Sequence, residues 1–395
     1  MSFRILHVIS SVNPKGGGPI EGLTQLARVN AQHGHQIEVA CLDDPAAEWV
    51  QRCPVPCHAL GPGHIGKYSF SSRLVPWLRA NRHRFHAVVV NGIWQYHAFG
   101  VWRALHGTNT PYFVYTHGML DPWFKRHYPL KHLKKWLFWP WGDYRVLRDA
   151  SAVLFTSEDE RRLARQSFWL YRCREEVVKY GASEPPDEAD VQRTAFLARF
   201  PDLAHTRNLL FLGRLHEKKG VDLFLRAFAQ VRARQPHLVH NVRLVMAGPC
   251  EDDYGQRMQQ LASSLGLDDV TVWTGMVSGP LKWGAFRAAD AFVLPSHQEN
   301  FGIAVAEALA CGVPVLISNQ VNIWREIEAA QAGVIDDDTV EGAMRQVQSW
   351  LAMPAAQREA MRADARACFL DNFHLERAAS SLVNVVSSRV RGSVA

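Results

Sequence analysis

The sequence contains no apolar stretch long enough to cross a bilayer, which takes about 20 consecutive residues, so it predicts no membrane-spanning helix. Its first residues also lack the pattern of a secretory signal peptide, because the apolar run 3–10 leads into Gly-rich sequence and not into a small-residue cleavage site. We interpret this run as a first β-strand. The sequence therefore predicts a cytoplasmic protein, with peripheral contact to the inner face of the cell membrane left open.

Cysteine is sparse, and charge of one sign is nearly balanced by the other. The seven cysteines are scattered and odd in number, and no second pair of ligands accompanies Cys53 and Cys57. We therefore expect reduced thiols and no zinc site. The formal net charge of +6 fits anionic ligands or an anionic membrane surface. It is too diffuse to indicate binding of nucleic acid.

Strand and helix patterns alternate along all 395 residues, a length typical of two domains. This alternation predicts an α/β protein with parallel sheets and helices on both faces. The predicted strands are near-continuous apolar runs, as expected of buried parallel strands: 3–9, 36–42, 86–91, 112–116, 152–156, 177–180, 209–213, 242–247, 270–273, 291–295 and 314–318. The predicted helices are 19–33, 221–234, 254–265, 281–289, 301–310 and one that follows Ser157, which has capping-box spacing to Glu160. The polar segment 181–190 predicts a linker between domains at 1–182 and 191–372.

The most informative stretch begins at Glu299 and ends at Glu307, with Phe301-Gly302 between the two carboxylates. A predicted strand precedes it, and a helix of small apolar residues begins near Phe301. A helix N-terminus offers free N–H groups and a partial positive charge, which suit a phosphate. A glutamate about two turns further along is placed to reach a neighbouring ribose diol. The spacing predicts a nucleotide whose phosphates lie at the helix N-terminus.

Two other interpretations of these glutamates are a solvated surface pair and the facing carboxylates of a glycosidase. The helix around Glu307 is too apolar on all sides for a surface helix, and a glutamate is seldom buried there without a partner. Glu299 and Glu307 also belong to successive parts of one element and share no common centre. We therefore reject the glycosidase interpretation.

A basic loop, Gly213-Arg214-Leu-His-Glu-Lys218-Lys219-Gly220, follows a predicted strand and opens a helix. Its cations would neutralise a diphosphate, and its glycines permit tight turns. A solvated basic loop is the alternative. The position of the glutamate motif at the same end of a later strand favours the anion-binding interpretation.

Two further signals lie in the first half of the chain. Gly16-Gly17-Gly18 separates the first strand from the first helix, and consecutive glycines let the backbone approach a ligand closely. This run matches neither the dinucleotide fingerprint nor the Walker lysine pattern. His117 follows another predicted strand and precedes Gly118. Both a ligand-binding and a structural role fit this histidine.

The stretch from Phe124 to Trp141 has five Lys or Arg residues, six aromatic residues and no acid. Three interpretations fit: contact with a membrane interface, a site for a lipid-linked or anionic acceptor, or a basic helix whose aromatic side chains pack inward. Stacking on single-stranded nucleic acid uses the same residue types. The rest of the sequence supports no nucleic-acid module.

Together these motifs resemble the retaining glycosyltransferases of family 4. The resemblance covers nearly the whole chain and is strongest from Gly213 to Gly333. It implies the GT-B fold, in which two Rossmann-like domains have parallel sheets that face across a cleft, with a last helix at 373–395 that crosses back to the first domain. It also implies transfer of a sugar from a UDP- or GDP-sugar to a hydroxyl of a glycan or lipid-linked acceptor, in exopolysaccharide or cell-envelope glycan synthesis.

The resemblance further implies a role for each candidate residue. Glu307 would bind the ribose hydroxyls, and Glu299 would contact the donor sugar. The other donor-binding positions implied are Arg214, Lys219, Asn300, Phe301 and Gly302 around the diphosphate, Met276 and Val277 at the base, and Gly17 and Gly18 from the first domain. His117 matches the family's histidine near the reacting sugar, so the catalytic set implied is His117, Glu299, Arg214 and Lys219.

No Asp-x-Asp metal motif flanked by strands is evident, because Asp43-Asp44 lies at a strand end and Asp336-Asp337-Asp338 in a late loop. We therefore expect metal-independent activity and no cofactor beyond the substrate. Two alternatives remain at this stage: a nucleotide-sugar epimerase of GT-B fold, and a non-catalytic nucleotide-sugar-binding protein of an assembly complex. An NAD-dependent oxidoreductase would need a glycine fingerprint that the sequence lacks.

Overall fold

The computed structural model describes residues 2–14 and 18–391. The chain forms two compact units. One comprises Met1–Gly181 together with Leu375–Ala395, and the other comprises Ala182–His374. Each unit has one all-parallel sheet with helices around it. None of the described helices is long and apolar enough to cross a membrane.

The sheet of the first unit has seven strands in the order β3-β2-β1-β4-β5-β6-β7. They are β1 (Arg4–Ile9), β2 (Gln36–Cys41), β3 (Cys57–Ala59), β4 (Ala87–Asn91), β5 (Tyr112–Tyr115), β6 (Ala152–Phe155) and β7 (Glu175–Val177). The helices between them are α1 (Gly18–Gln32), α2 (Glu48–Gln51), α3 (Leu74–Asn81), α4 (Tyr96–Leu105), α5 (Trp123–His127), α6 (Pro129–Phe138), α7 (Asp143–Arg148) and α8 (Glu158–Ala164). Short 3₁₀ turns lie at Gly66–Tyr68 and Arg82–Arg84.

The sheet of the second unit has six strands in the order β10-β9-β8-β11-β12-β13. They are β8 (Arg207–Leu212), β9 (Val242–Ala247), β10 (Thr271–Gly275), β11 (Ala291–Leu294), β12 (Val315–Ser318) and β13 (Gly333–Asp336). The helices are α9 (Ala189–Arg199), α10 (Val221–Arg234), α11 (Asp253–Ser264), α12 (Pro280–Arg287), α13 (Ile303–Ala310), α14 (Trp324–Ala329), α15 (Val340–Ala352) and α16 (Ala355–Cys368). Turns of 3₁₀ helix at Pro201–Leu203 and Glu217–Lys219 and a π-helical turn at Phe369–Phe373 complete the unit.

The last helix, α17 (Leu375–Arg391), belongs to the first unit and packs against α1. Alternate residues of a strand point to opposite faces of a sheet, and the first sheet accordingly has a core on each face. Leu6 and Val8 of β1 lie in one core, whereas Ile5 and Ile9 lie in the other. The second of these cores is closed by side chains of α17, including Leu382.

The parallel-sheet architecture predicted from the apolar runs is confirmed, with two short strands added at sheet edges. β3 and β13 pair with one neighbour each, and all their residues are only half-buried. Three or four residues of such composition give no continuous apolar run, so sequence patterns miss them. The strand expected at 177–180 was placed too late, because β7 spans Glu175–Val177 and Lys179 N–H donates instead to Ser381 Oγ of α17.

Candidate functional site

The chain order of the second sheet reverses between β8 and β11, which are hydrogen-bonded neighbours. In open α/β sheets, the crevice beyond the carboxyl ends of the strands at such a point is the usual ligand-binding position. The basic loop 213–220 follows β8, and segment 295–302 follows β11. The two motifs that the sequence singles out therefore lie side by side.

Helix α13 begins at Ile303, two residues later than the pattern suggests, because Gly302 is its N-cap in a left-handed conformation with φ 75°. An added Cβ at Gly302 would lie 3.1 Å from Val305 Cγ2 and 3.3 Å from Glu299 Cγ. Glycine is therefore favoured on both backbone and steric grounds. The first turn of α13 offers backbone N–H groups that have no partner within the helix.

Hydrogen bonds join the loop after β8 to the segment after β11. The carbonyl of Lys218 accepts from His297 N–H at 2.8 Å and from Ser296 Oγ at 3.1 Å. Gly220, with φ 65°, brings the backbone so close to the other segment that an added Cβ would lie 2.1 Å from the carbonyl oxygen of Pro295. These contacts fix the basic loop against the start of the glutamate motif.

The central contact of this junction is an ion pair between Lys219 and Glu299. Their side chains are only 20% and 15% exposed. Burial, followed by the positive charges of Lys218 and Arg214, lowers the pKa of Lys219 to about 7. The main chain of Glu299 is held as well, because its N–H donates to the carbonyl of Gln320 and its own carbonyl accepts from Asn322 N–H.

The two other cations of the basic loop lie in different surroundings. Lys218 is half-buried, and its ammonium donates to Gln298 Oε1 at 3.4 Å. Arg214 is exposed. The structure thus separates the tandem lysines, since Lys219 contacts the first glutamate of the motif and Lys218 contacts the preceding glutamine.

Glu307 is buried in α13, as its apolar surroundings in the sequence suggest, and it does have a charged partner. Lys282 Nζ in α12 donates to Glu307 Oε1 at 2.7 Å, and the two side chains are 21% and 6% exposed. The same ammonium lies 4.6 Å from the ring centre of Trp283. Lys282 is a site residue that sequence reasoning misses, because nothing in the pattern of α12 links it to a helix that begins 21 positions later.

The remaining donor-site candidates of the second unit are spread around this junction. The side chain of Asn300 accepts from Asn322 Nδ2 at 3.5 Å. Phe301 is buried, and its ring meets Phe373 edge to face at 5.8 Å. Met276 is 77% exposed in the turn after β10, and Val277 beside it is half-buried. This turn lies at the carboxyl end of an edge strand and leads into α12, the helix that contributes Lys282.

In the first unit, His117 follows β5 in a left-handed conformation with φ 47°. Its Nε2 lies 3.3 Å from Asn91 Oδ1, and its ring stacks on Tyr115 at 5.3 Å. Because an amide oxygen only accepts, Nε2 carries the proton. Burial, with a smaller contribution from His97, lowers the pKa of His117 to about 4. The imidazole is therefore neutral near pH 7, and Nδ1 is left as an acceptor.

Glu160 holds the loop that carries His117. Its buried carboxylate accepts from Thr116 Oγ1 at 2.7 Å and Gly118 N–H at 2.6 Å on one oxygen, and from the amide and hydroxyl of Thr156 on the other. Ser157 caps α8 through Glu160 N–H, as the capping-box spacing predicts. The carboxylate, however, serves the β5 loop, a long-range contact that sequence spacing does not reveal.

The glycine run of the first unit is only partly described. Gly17 lies outside the described residues, and Gly18 is the first residue of α1. The strand-end aspartate near this turn has a structural role, because Asp43 accepts from Ser11 Oγ and from Val12 N–H, each at 2.7 Å. These bonds fix the path of the chain from β1 towards the glycine run.

The aspartates at 336–338 are not all in a loop, because Asp336 ends strand β13 and pairs with Arg345. Asp338 Oδ2 lies 2.7 Å from His297 Nδ1, and this contact raises the pKa of His297. Within residues 2–14 and 18–391, no group of three or more potential metal ligands converges.

The basic aromatic segment forms α5, α6 and the turn after them. Trp139 is fully buried, stacks on Phe168 at 4.2 Å and donates its indole N–H to the carbonyl of Leu170. Helix α6, in contrast, has no buried residue. Its apolar side chains and those next to it are exposed: Leu130 (78%), Leu133 (53%), Trp136 (41%), Leu137 (62%) and Trp141 (68%). The inward-packed interpretation therefore holds for Trp139 but not for α6.

Solved structures with the same architecture define the fold class as GT-B. Sucrose-phosphate synthase from Thermosynechococcus elongatus aligns with a TM-score of 0.77 over 99% of this chain and 100% of that chain, at 18% identity. Anabaena HepE in complex with UDP-glucose aligns with a TM-score of 0.73 over 98% and 100% of the two chains, at 16% identity. At such identities the likeness establishes the fold alone.

Family models identify the group to which the chain belongs. A glycosyl transferase 4-like domain matches residues 17–181, and the glycosyl transferases group 1 model matches residues 201–367. The chain therefore belongs to the family-4 glycosyltransferases of GT-B fold.

Curated relatives agree with this assignment. The D-inositol 3-phosphate glycosyltransferase of Thermomonospora curvata is 32% identical over 171 residues, which are 42% of this chain and 37% of that protein. The enzyme of the same name from Geodermatophilus obscurus is 30% identical over 253 residues, which are 61% of this chain and 53% of that protein. The matches thus span between about a third and a half of these relatives.

Proposed function

We propose that the protein is a retaining, metal-independent glycosyltransferase that moves a sugar from a nucleoside diphosphate to a hydroxyl of a glycan or lipid-linked acceptor. The observation that carries the proposal is the junction at the ends of β8 and β11, where Lys219 and Glu299 meet beside the first turn of α13. A cation, a carboxylate and free N–H groups in one crevice match the needs of a sugar diphosphate.

The donor would bind through both ion pairs of the second unit. Lys219, Arg214 and the N–H groups at the start of α13 would hold the diphosphate. Glu307 would accept hydrogen bonds from the ribose diol, which requires it to exchange its bond to Lys282. The base would lie along the segment at 276–277, and we expect it to be the uracil of a UDP-sugar or the guanine of a GDP-sugar.

Chemically, the bond between the anomeric carbon and the β-phosphate oxygen breaks as the acceptor oxygen bonds to the same face of the sugar. The acceptor proton passes to the departing phosphate oxygen. Lys219 and Arg214 stabilise the negative charge that develops on the diphosphate, which is electrostatic catalysis by fixed cations. Glu299 would face the sugar, where a carboxylate stabilises an oxocarbenium-like centre.

His117 would position the donor sugar as a neutral hydrogen-bonding group. Its low pKa excludes the imidazolium near neutral pH, and its Nδ1 can accept from a sugar hydroxyl. Glu160 and Asn91 would act as positioning residues, because one fixes the loop and the other fixes the ring.

The first unit would supply the acceptor site, at the inner face of the cell membrane. Helix α6 exposes three leucines and Trp136 next to Lys131 and Lys134, and this mixture suits the headgroup region of an anionic bilayer. A protein held there could reach a lipid-linked acceptor, as in exopolysaccharide or cell-envelope glycan synthesis.

Thermal unfolding with added nucleotides tests the donor assignment. Ligand at about 100 times its dissociation constant should stabilise the fold by roughly 2.7 kcal/mol. We expect a shift with UDP or GDP and their sugar conjugates, and its loss in Glu307→Ala. The matched control is Glu359→Ala, an exposed glutamate of α16. No shift with any nucleotide, or an unchanged shift in Glu307→Ala, would contradict the assignment.

Product analysis then tests the reaction itself. Incubation with the stabilising sugar nucleotide and an acceptor mixture should yield free nucleoside diphosphate and a new glycoside of unchanged anomeric configuration. An altered sugar in place of a glycoside would identify an epimerase, and binding without turnover would identify a non-catalytic protein.

A further inference from the structure

A second crevice lies in the first unit, beside the loop that carries His117. It is a cavity of about 60 Å³. Its wall contains aromatic side chains, lysines and one aspartate, which come from the turns after β4 and β5 and from the segment that holds α5 and α6: Trp94, Asp121, Phe124, Tyr128, Lys131 and Lys135. None of these residues belongs to the donor site described above.

The most unusual group in this wall is the ammonium of Lys135. It lies 4.4 Å from the ring centre of Trp94 and 5.8 Å from that of Phe124. Burial lowers the pKa of Lys135, and the carboxyl group of Asp143 partly offsets this effect by raising it. No ion pair between Lys135 and a carboxylate is found among the residues that the structure describes. Aromatic faces attract a cation by only about 0.5–2 kcal/mol, so a half-buried ammonium here retains a strong preference for an anion.

The neighbouring charges leave the cavity positive. Lys131 Nζ lies 4.6 Å from the ring centre of Tyr128 on the same wall. Asp121 is the acid of the wall, and its carboxylate already accepts the N–H of Trp123 at 2.8 Å. Behind the wall, burial raises the pKa of Asp143 to about 7, so this carboxyl carries a full charge only part of the time at neutral pH.

Trp94 is held rigidly in a conformation that its backbone disfavours. Its φ is 74°, in the left-handed region that non-glycine residues seldom adopt. Its N–H donates to Asp143 Oδ1 at 3.2 Å, and its indole N–H donates to the carbonyl of Met119 at 3.2 Å. Backbone strain that the surroundings enforce in this way is concentrated at functional sites.

The size of the cavity limits what can enter it. One water molecule needs at least about 10–15 Å³ of such a volume, so a cavity of about 60 Å³ has room for a group of only a few atoms. That is the size of a phosphate or carboxylate group and is too small for a whole sugar ring. The flanking aromatic side chains, which are half-buried, would meet the ring outside.

We propose that this cavity binds the anionic group, a phosphate or a carboxylate, of an acceptor sugar, with Lys135 and Lys131 on the anion and Trp94 and Tyr128 beside the ring. The role of this sugar as an acceptor rests on the proposed function, whereas the binding of an acidic sugar rests on the cavity alone. Met119, which lines the cavity, is two residues beyond His117, so the site adjoins the loop assigned to the reacting sugar.

Titration calorimetry without nucleotide tests the binding. The probes are glucose 6-phosphate, glucuronate and glucose. We expect the two anionic sugars to bind at least about tenfold more tightly than glucose, and Lys135→Met to remove at least about tenfold of that affinity, or about 1.4 kcal/mol. Lys134→Met is the matched control, because Lys134 is an exposed lysine of the same helix outside the cavity wall. Equal affinity for all three probes, or equal loss in both variants, would overturn the proposal.

Two further measurements separate the possible origins of the anion. Lys131→Gln repeats the test at an exposed position where loss of folding is not expected. Sedimentation with phosphatidylglycerol vesicles, with and without glucose 6-phosphate, shows whether a lipid headgroup competes for the cavity. Loss of vesicle binding in Lys135→Met with unchanged glucose 6-phosphate binding would assign the cavity to lipid and overturn the proposal. If the protein binds glucose 6-phosphate but is not stabilised by UDP or GDP, the cavity still binds an acidic sugar, but that sugar is not the acceptor of a glycosyl transfer.

Discussion

The affinity for a nucleoside diphosphate should fall as the pH rises from about 7 to about 8.5, and Lys219 should be the cause. This lysine is largely buried beside Glu299, and burial with the charges of Lys218 and Arg214 lowers its pKa to about 7. A bound diphosphate places negative charge next to the ammonium and raises its pKa. The complex therefore keeps a proton that the free protein loses over this range.

The expected size of the effect follows from the fraction of protonated lysine. With a pKa of about 7, half of the free protein carries the proton on Lys219 at pH 7. At about pH 8.5 that fraction is roughly 3%. If only the protonated form binds, the dissociation constant rises about 16-fold, which is about 1.6 kcal/mol of binding free energy.

Calorimetric titration of UDP and GDP at several pH values measures this slope. Lys219→Arg should flatten it, because a guanidinium stays charged over the whole range. Ionisation of the nucleotide itself affects parent and variant equally, so their difference isolates the lysine. Lys218→Arg is the matched control and should keep the slope. A flat profile in the parent, or an unchanged slope in Lys219→Arg, would refute the reasoning.

Three other perturbations follow from contacts in the structure. Glu307→Gln should weaken UDP or GDP binding at least about tenfold, since an amide is a poorer acceptor than a carboxylate; calorimetry that finds equal affinity would contradict the ribose assignment. Gly302→Ala should cost about 1–2 kcal/mol of folding stability, because φ is 75° there, and an unchanged melting temperature would show that the loop relaxes freely. Leu130→Glu with Leu137→Glu should reduce sedimentation with anionic vesicles, whereas Val191→Glu, which is 67% exposed in the second unit, should not. Equal sedimentation of all three proteins would contradict membrane contact through α6.

The fold was accessible from the sequence because its central strands are apolar along their whole length. Strands such as β4, in which all five residues are buried, appear in the sequence as continuous apolar runs, whereas short edge strands do not. The limits of four helices of the second unit, α10 to α13, were predicted within two residues, and α10 was predicted without error. Helices α9, α14, α15 and α16 were not predicted. The start of α13 was misplaced because Gly302 caps the helix in a left-handed conformation, which the spacing of apolar residues does not reveal.

The candidate site was accessible only as far as local motifs reach. The basic loop and the glutamate motif were both recognised, and their contact follows from the reversal of strand order between β8 and β11. Lys282 and Glu160 were missed as site residues, because each acts on a segment at least 25 positions away. Both residues matter through contacts with a different helix or loop, and a single sequence does not show which elements contact each other. The roles of Glu299 and Glu307 towards a donor stay predictions.

The two carboxylates of the candidate site are held in the same way. Each carboxylate assigned to the donor contacts a lysine, Lys219 at Glu299 and Lys282 at Glu307, and each pair is largely shielded from water. A buried carboxylate without such a partner would be costly and would tend to take up a proton. On the proposed function, a diphosphate would compete with Glu299 for Lys219, and a ribose diol would replace Lys282 at Glu307. One ligand with both groups would then release both carboxylates together, whereas a phosphate or a nucleoside alone would release one, so we expect the paired arrangement to favour a complete nucleoside diphosphate over its fragments.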